Sequence, residues 1–295
     1  MLVTVMGATG KTGTAVSERL LASGVQVRAL ARSAEKLAAL QKAGAEPVVA
    51  DVNRAADLTA AFRGADVVYA LVPPDYHADV LAHYDTANGA LATAIVESGV
   101  KRVVYLSSIG ADQPSGTGPV VGLHRGEEKL KAIKGLDLLL LRPGYFFENH
   151  FGALGLIKSQ GMNGGATRPD VPFVQIASRD IGEYAAKAIV AKDFSGVTVR
   201  ELHGPRDLSM AEATRILGSK IGKPDLQYMQ FPDEGVVAGL KGAGLSESLS
   251  RAFVEMSHAL NNGVMRSRAP EVPVIKGTTP LEAFAEIWAQ VYKSS

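Results

Sequence analysis

The chain has 295 residues, 46% of them hydrophobic, with 31 basic and 30 acidic side chains and a net charge of +1. That length and apolar content allow one large core with a smaller appendage, while the balanced charge argues against direct nucleic-acid contact or an anionic membrane surface as the main partner. The absence of cysteine removes disulfides, thiol redox switching and cysteine-ligated metal together. The longest apolar run, around Leu138–Leu141, is far shorter than a bilayer span. No basic leader precedes the first strand, so the expectation is a cytoplasmic protein without a signal peptide.

In chain order, Leu2–Met6 reads as a buried strand and Lys11–Ser23 as a helix, with Val16 and Leu20 at helical spacing. Between them Gly7, Gly10 and Gly13 recur at every third position, interleaved with Thr9, Lys11 and Thr12. Such a turn suits a dinucleotide pyrophosphate. One glycine turns the chain sharply, one lets backbone N–H groups approach the phosphates, and one lets the helix pack close to the strand. The helix N-terminus adds free N–H groups and the positive end of a dipole. A triphosphate loop is the nearest competitor, because Gly10-Lys11-Thr12 matches the end of that motif. Its register fails, since the motif needs a glycine five residues before Gly10 and Val5 stands there.

Further strands are expected at Gln26–Ala31, Glu46–Asp51, Asp66–Val72, Arg102–Ser107 and Asp137–Arg142, with helices at Ala34–Ala43, Arg54–Phe62, Asp75–Ser98 and His124–Ile133. This alternation predicts an α/β fold, a doubly wound (Rossmann) parallel sheet in the order 3-2-1-4-5-6, with a ligand crevice at the carboxyl ends of the first and fourth strands. After Arg142-Pro143-Gly144 the regularity fades. A helix near Arg179–Lys192, strands near Val197–His203 and Leu226–Phe231, a helix near Met210–Ile221 and a last helix opened by Pro280 suggest a smaller C-terminal α/β lobe. We therefore expect a dinucleotide-binding domain over 1–150 and a substrate lobe over 151–295, partly interleaved with it on the same sheet edge.

The second strand ends in Arg32, where an NAD-preferring site usually carries an acidic residue for the ribose hydroxyl. Arginine there forks onto a 2′-phosphate, and Lys36 adds charge one turn later, so NADP(H) is expected in preference to NAD(H). Both are alternatively solvated charges at a strand end and a helix start. Asp51 and Val52 would flank the adenine, or Asp51 simply caps the next helix. Leu71, Val72 and Pro73 end the fourth strand, where proline would stiffen the loop as a wall along the cofactor, or simply starts an ordinary loop.

Gly7-Ala8-Thr9-Gly10-Lys11-Thr12-Gly13, Arg32, Leu106-Ser107-Ser108-Ile109-Gly110 and Leu141-Arg142-Pro143-Gly144-Tyr145-Phe146-Phe147-Glu148-Asn149 together resemble the NmrA-like branch of the atypical short-chain dehydrogenase/reductases. The likeness continues through Arg179-Asp180-Ile181-Gly182, Leu202-His203-Gly204-Pro205 and Thr279-Pro280-Leu281-Glu282-Ala283-Phe284. Within that branch the chain is similar to bacterial NAD(P)H quinone reductases and triphenylmethane-dye reductases. The resemblance implies a cofactor and a flat aromatic acceptor, in a monomer or homodimer. The same branch also holds NADP(H)-sensing regulators without turnover, so fold is implied more firmly than activity.

Ordinary short-chain dehydrogenases place a Tyr and, four residues later, a Lys on the helix after the fifth strand. Here His124 and Glu128 take those positions, which rules against an epimerase that depends on the Tyr-Lys pair. Four-residue spacing sets His124 and Glu128 on one helix face. They are either a solvated pair or a functional one, in which His124 donates a proton or contacts the nicotinamide ribose and Glu128, on the cofactor side, orients it. Ser107 and Ser108 end the fifth strand, where the family keeps a serine near a substrate carbonyl, or they merely start a turn. Tyr145, Phe146 and Phe147 would pack on the nicotinamide or line the acceptor pocket, with Asn149 and His150 as polar guides; the alternative is lobe packing. No metal site is expected, because the six histidines are scattered.

Overall fold

A computed structural model describes all 295 residues. The first half runs β1 (Leu2–Val5), α1 (Lys11–Ala22), β2 (Gln26–Ala31), α2 (Ala34–Lys42), β3 (Glu46–Val49), α3 (Ala55–Phe62), β4 (Val67–Ala70), α4 (Val80–Ser98), β5 (Arg102–Leu106), α5 (Val120–Lys131) and β6 (Asp137–Pro143). The second half continues with β7 (Tyr145–Phe146), a 3-10 helix over Phe147–Ala153, α6 (Leu154–Gln160), β8 (Asn163–Gly165), β9 (Phe173–Ile176), α7 (Ser178–Ala191) and β10 (Val197–His203). It ends with β11 (Asp207–Leu208), α8 (Met210–Lys220), β12 (Tyr228–Gln230), α9 (Asp233–Gly242), α10 (Glu247–Asn261), β13 (Val274–Lys276) and α11 (Leu281–Ser294).

Eight strands form one parallel sheet in the order 3-2-1-4-5-6-10-13. The expected 3-2-1-4-5-6 core is present, and β10 and β13 from the second half extend it at the β6 edge. Strand alternation divides the apolar residues between two faces. Val67, Tyr69, Leu139 and Leu141 join Val16, Leu20, Leu37 and Ile181 under α1, α2 and α7. Val68, Ala70, Leu138 and Leu140 join Leu58, Phe62, Leu91, Ile95 and Leu130 under α3, α4 and α5. The four leucines of β6 are fully buried, each worth about 1.5–3 kcal/mol of transfer free energy. Such two-sided burial is why β6 reads as a continuous apolar run rather than an alternating one.

Several boundaries differ from expectation. α4 starts at Val80, because the Asp79 carboxylate accepts from the Ala82 N–H at 2.9 Å and caps it; Asp75–Asp79 is loop. α5 begins at Val120, four residues before His124. The strand expected at Leu226–Phe231 is only Tyr228–Gln230, and it pairs with β8 in a separate two-stranded sheet. A further apolar cluster joins Phe147, Ile157, Leu217, Phe284 and Trp288 beneath the second half. No helix is long and apolar enough to cross a membrane.

Candidate functional site

The sheet order reverses at β1, where the chain leaves to β2 on one side and later to β4 on the other, and this is where a doubly wound fold opens a crevice. One cavity of about 550 Å³ runs along these carboxyl ends. At one end lies the glycine turn. Gly7 adopts φ +60°, and a Cβ there would stand 3.0 Å from Leu71 Cδ1, so a left-handed backbone and a close neighbour both favour glycine. Gly10 caps α1 without any side-chain cap, and no acidic residue occupies the first turn. The first-turn amides therefore keep their donors for an anion.

Lys11 and Thr12 open α1 and line the cavity with Thr9. The Lys11 ammonium donates to the Glu148 carbonyl at 3.1 Å; burial lowers its pKa, and the Glu148 carboxylate opposes the shift. Glu148 in turn accepts from the Ser178 N–H at 3.1 Å and the Ser178 hydroxyl at 2.5 Å, so the glycine turn is tied to the start of α7. Arg32 lines the cavity at the end of β2, exposed and without a carboxylate partner. With strands about 4.8 Å apart, four steps from β2 to β6 span about 19 Å, the reach of an extended dinucleotide along the sheet edge.

Val52, Leu71, Val72 and Pro73 line the middle of the cavity, and Ser107 and Ser108 its floor beyond β5. Beneath Ser107 lies a group that sequence reading missed. Glu127 is wholly buried; it accepts from Ser107 Oγ at 2.6 Å and from Arg142 Nε at 2.8 Å and Nη2 at 2.5 Å. Burial acts against the Arg142 charge, but the fork onto Glu127 together with the Asp112 and Glu201 carboxylates outweighs it and holds the guanidinium above its usual pKa.

The far end is apolar. Tyr145 and Phe146 of β7, Phe173 of β9 and Phe253, Met256 and Leu260 of α10 enclose it, with Met265 beyond. Tyr145 sits edge-on to Phe173 with ring centres 5.7 Å apart. Asn149 is exposed at the rim. The spacing of Phe253, Met256 and Leu260 marks one face of a helix. Sequence alone gives no reason to aim that face at the cavity rather than the core. The lining contains no carboxylate and no imidazole. Burial pushes the Tyr84 phenol up to about 12 and raises Tyr145 as well.

The remaining candidates stand off the cavity, each for a physical reason. Gly13 faces the turn from behind, where a Cβ would lie 2.1 Å from the Gly7 carbonyl oxygen; its place is the helix–strand contact. Lys36 is exposed on α2, away from the lining. The Asp51 carboxylate turns to its own chain and accepts from the Asn53 N–H at 2.9 Å. Phe147 is buried with Phe284, their ring centres 5.7 Å apart. His150 is buried too, its Nε2 2.9 Å from Gln175 Oε1, and desolvation pushes its pKa down to about 4.

His124 and Glu128 do not form the expected cavity pair. Nδ1 of His124 donates to the Ala111 carbonyl at 2.9 Å, while Glu128 is exposed and accepts from Lys131 at 2.8 Å. The cause is helical phase. The inward face of α5 carries Val120, Leu123, Glu127 and Leu130, and the carboxylate that reaches Ser107 is one residue earlier than expected.

The model of the NmrA-like family matches residues 1–285. The NAD(P)H azoreductase of Xenophilus azovorans is 27% identical over 97% of this chain and 96% of its own length. Quinone oxidoreductase 2 of Escherichia coli is 27% identical over 89% of each chain. Among solved structures, the E. coli NADPH-dependent quinone oxidoreductase complexed with NADPH superposes with a TM-score of 0.81 at 24% identity, covering 98% of this chain and 99% of that one. The Citrobacter sp. triphenylmethane reductase complexed with NADP(H) gives 0.78 at 20% identity, covering 98% and 100%. With the glycine turn, the eight-stranded sheet and the interleaved second half all accounted for by one family match of this length, the chain belongs to the NmrA-like family.

Proposed function

We propose that this chain is an NADPH-dependent reductase that passes hydride to a flat, uncharged aromatic acceptor of the quinone class. The observation that carries the reading is the cavity itself. It joins an uncapped glycine turn and an unpaired Arg32 at one end to an aromatic and methionine wall at the other, with no carboxylate or imidazole between them. The azoreductase and the quinone oxidoreductase among its relatives support an NAD(P)H-dependent oxidoreductase.

A bound NADPH would supply hydride at its nicotinamide. The turn from Gly7 to Thr12 holds the diphosphate, and Arg32 distinguishes the 2′-phosphate from a free hydroxyl. Tyr145, Phe146 and the α10 face hold the acceptor flat and keep water out. The lining phenols Tyr84 and Tyr145 are poorer proton donors than a free tyrosine, because burial raises both. A ketone needs an acid at its oxygen. A quinone spreads the incoming charge over its ring, so hydride can arrive without a protein acid and the proton follows from solvent once the hydroquinone anion leaves; this lining suits it. The lack of a charged side chain among the far-end residues favours neutral acceptors over sulfonated or cationic ones.

The test is NADPH consumption, followed by its absorbance, with a neutral naphthoquinone, its sulfonated counterpart and a cationic triarylmethane dye. Saturating turnover with the neutral quinone, lost in Gly10→Asp, is the expected result. Tight NADP(H) binding without oxidation by any acceptor would replace the reductase with an NADP(H)-sensing regulatory protein.

A further inference from the structure

Ser107 lines the cavity floor, and the proton of its hydroxyl is committed to the protein interior. Glu127, wholly buried, receives it at 2.6 Å. Both oxygens of that carboxylate also accept from the Arg142 guanidinium, and the Lys131 ammonium lies 3.3 Å from Oε2. A carboxylate held between two cations has no proton to return, so the direction of the Ser107 bond is fixed and Ser107 is the donor. Ser108 behaves alike, its hydroxyl donating to the Ile109 carbonyl at 2.9 Å. With both protons already donated, each floor serine has only lone pairs left to offer a ligand. A serine expected near a substrate carbonyl would have to donate, and Ser107 cannot do so while it holds Glu127.

We propose that Ser107 is a fixed acceptor for the carboxamide N–H of the nicotinamide, and that Glu127, through its bond to Ser107, is the positioning residue that fixes this polarity. The inference rests on the dinucleotide-binding reading above. The floor position favours the cofactor over the acceptor. Ser107 is anchored to the sheet edge, its own N–H donating to the Leu141 carbonyl at 2.7 Å, and a dinucleotide lies along that edge in this architecture. The aromatic residues suited to an acceptor stand further out, on β7, β9 and α10.

The experiment is calorimetric binding of NADP⁺ and of its 3-acetylpyridine analogue, which keeps the carbonyl and replaces the amide nitrogen with a methyl group. The wild-type protein should bind NADP⁺ about five- to tenfold more tightly, the worth of one hydrogen bond, and Ser107→Ala should bind the two within about twofold of each other. Equal wild-type affinities, or a Ser107→Ala protein that keeps the full preference, would overturn the proposal. Failure of the wild-type protein to bind either dinucleotide would instead remove the reading on which it rests. In Glu127→Gln, checked for native circular dichroism, the new amide can donate to Ser107 and free its hydroxyl proton. The preference should then shrink; an unchanged preference in that folded variant would remove Glu127 from the role.

Discussion

Arg32 ends β2 with a full charge, solvent exposure and no ionic partner, so its removal touches binding and not folding. Arg32→Ala should weaken NADPH about 10- to 100-fold, the worth of a charged hydrogen-bonded contact, with NADH affinity unchanged and stability within about 0.5 kcal/mol. Gly10 is the complementary case. An aspartate at this helix N-cap favours α1, and its Cβ would meet only the Gly7 carbonyl oxygen, at 3.2 Å. Gly10→Asp should therefore keep its melting temperature and lose dinucleotide binding through charge repulsion. His150 makes a prediction about pH. Its folded pKa is pushed from 6.5 down to about 4 by desolvation, so the unfolded chain binds the extra proton first. The stability it contributes is complete above about pH 6.5 and is lost as pH falls from there toward 4. Proton NMR should show one imidazole with a midpoint near 4, and the melting temperature should decline across that window.

At the scale of elements, the acceptor end depends on how α10 meets the start of α5. Gly118, just before α5, has φ +60°, and a Cβ on it would lie 2.0 Å from the Ala252 carbonyl oxygen of α10. Contact this close leaves no room for a methyl group. Gly118→Ala should cost about 1–3 kcal/mol or more and displace the face that carries Phe253, Met256 and Leu260. The quinone KM should rise while NADP(H) affinity changes little, a split that steady-state kinetics and calorimetry would separate. On α5, Glu127 turns inward to Ser107 and Glu128 stays outside with Lys131, a one-residue difference that four-residue spacing alone does not resolve.

For the whole molecule, the two halves share one sheet. β10 lies beside β6 in register over Val197–Leu202. On the opposite face α7 packs on α1 so closely that a Cβ on Gly182 would stand 2.4 Å from Ala15 Cβ. The Trp288 indole of α11 donates to the His150 carbonyl at 3.0 Å. A fragment of residues 1–150 would expose the β6 edge and the apolar face under α7, and unpaired edges of this kind associate. Expressed alone, it should elute as aggregate on size exclusion, whereas the full chain should give one cooperative melting transition.

Local chemistry was readable along the chain. The glycine spacing, the helical and strand periods and the two-sided leucine run of β6 follow from steric and burial rules that act within a few residues, and they determined the α/β class and the core strand order. The glycine-turn end of the cavity was legible for the same reason, since Gly7, Gly10 and Arg32 sit at the ends of consecutive elements and all three line it. Tertiary structure alone decided the rest. It added β10 and β13 to the sheet, aimed the α10 face at the cavity, buried Phe147 and His150 away from it and chose Glu127 over Glu128. Those outcomes depend on which helix face meets which strand across long sequence separations, where packing and helical phase, rather than residue type, select the partner.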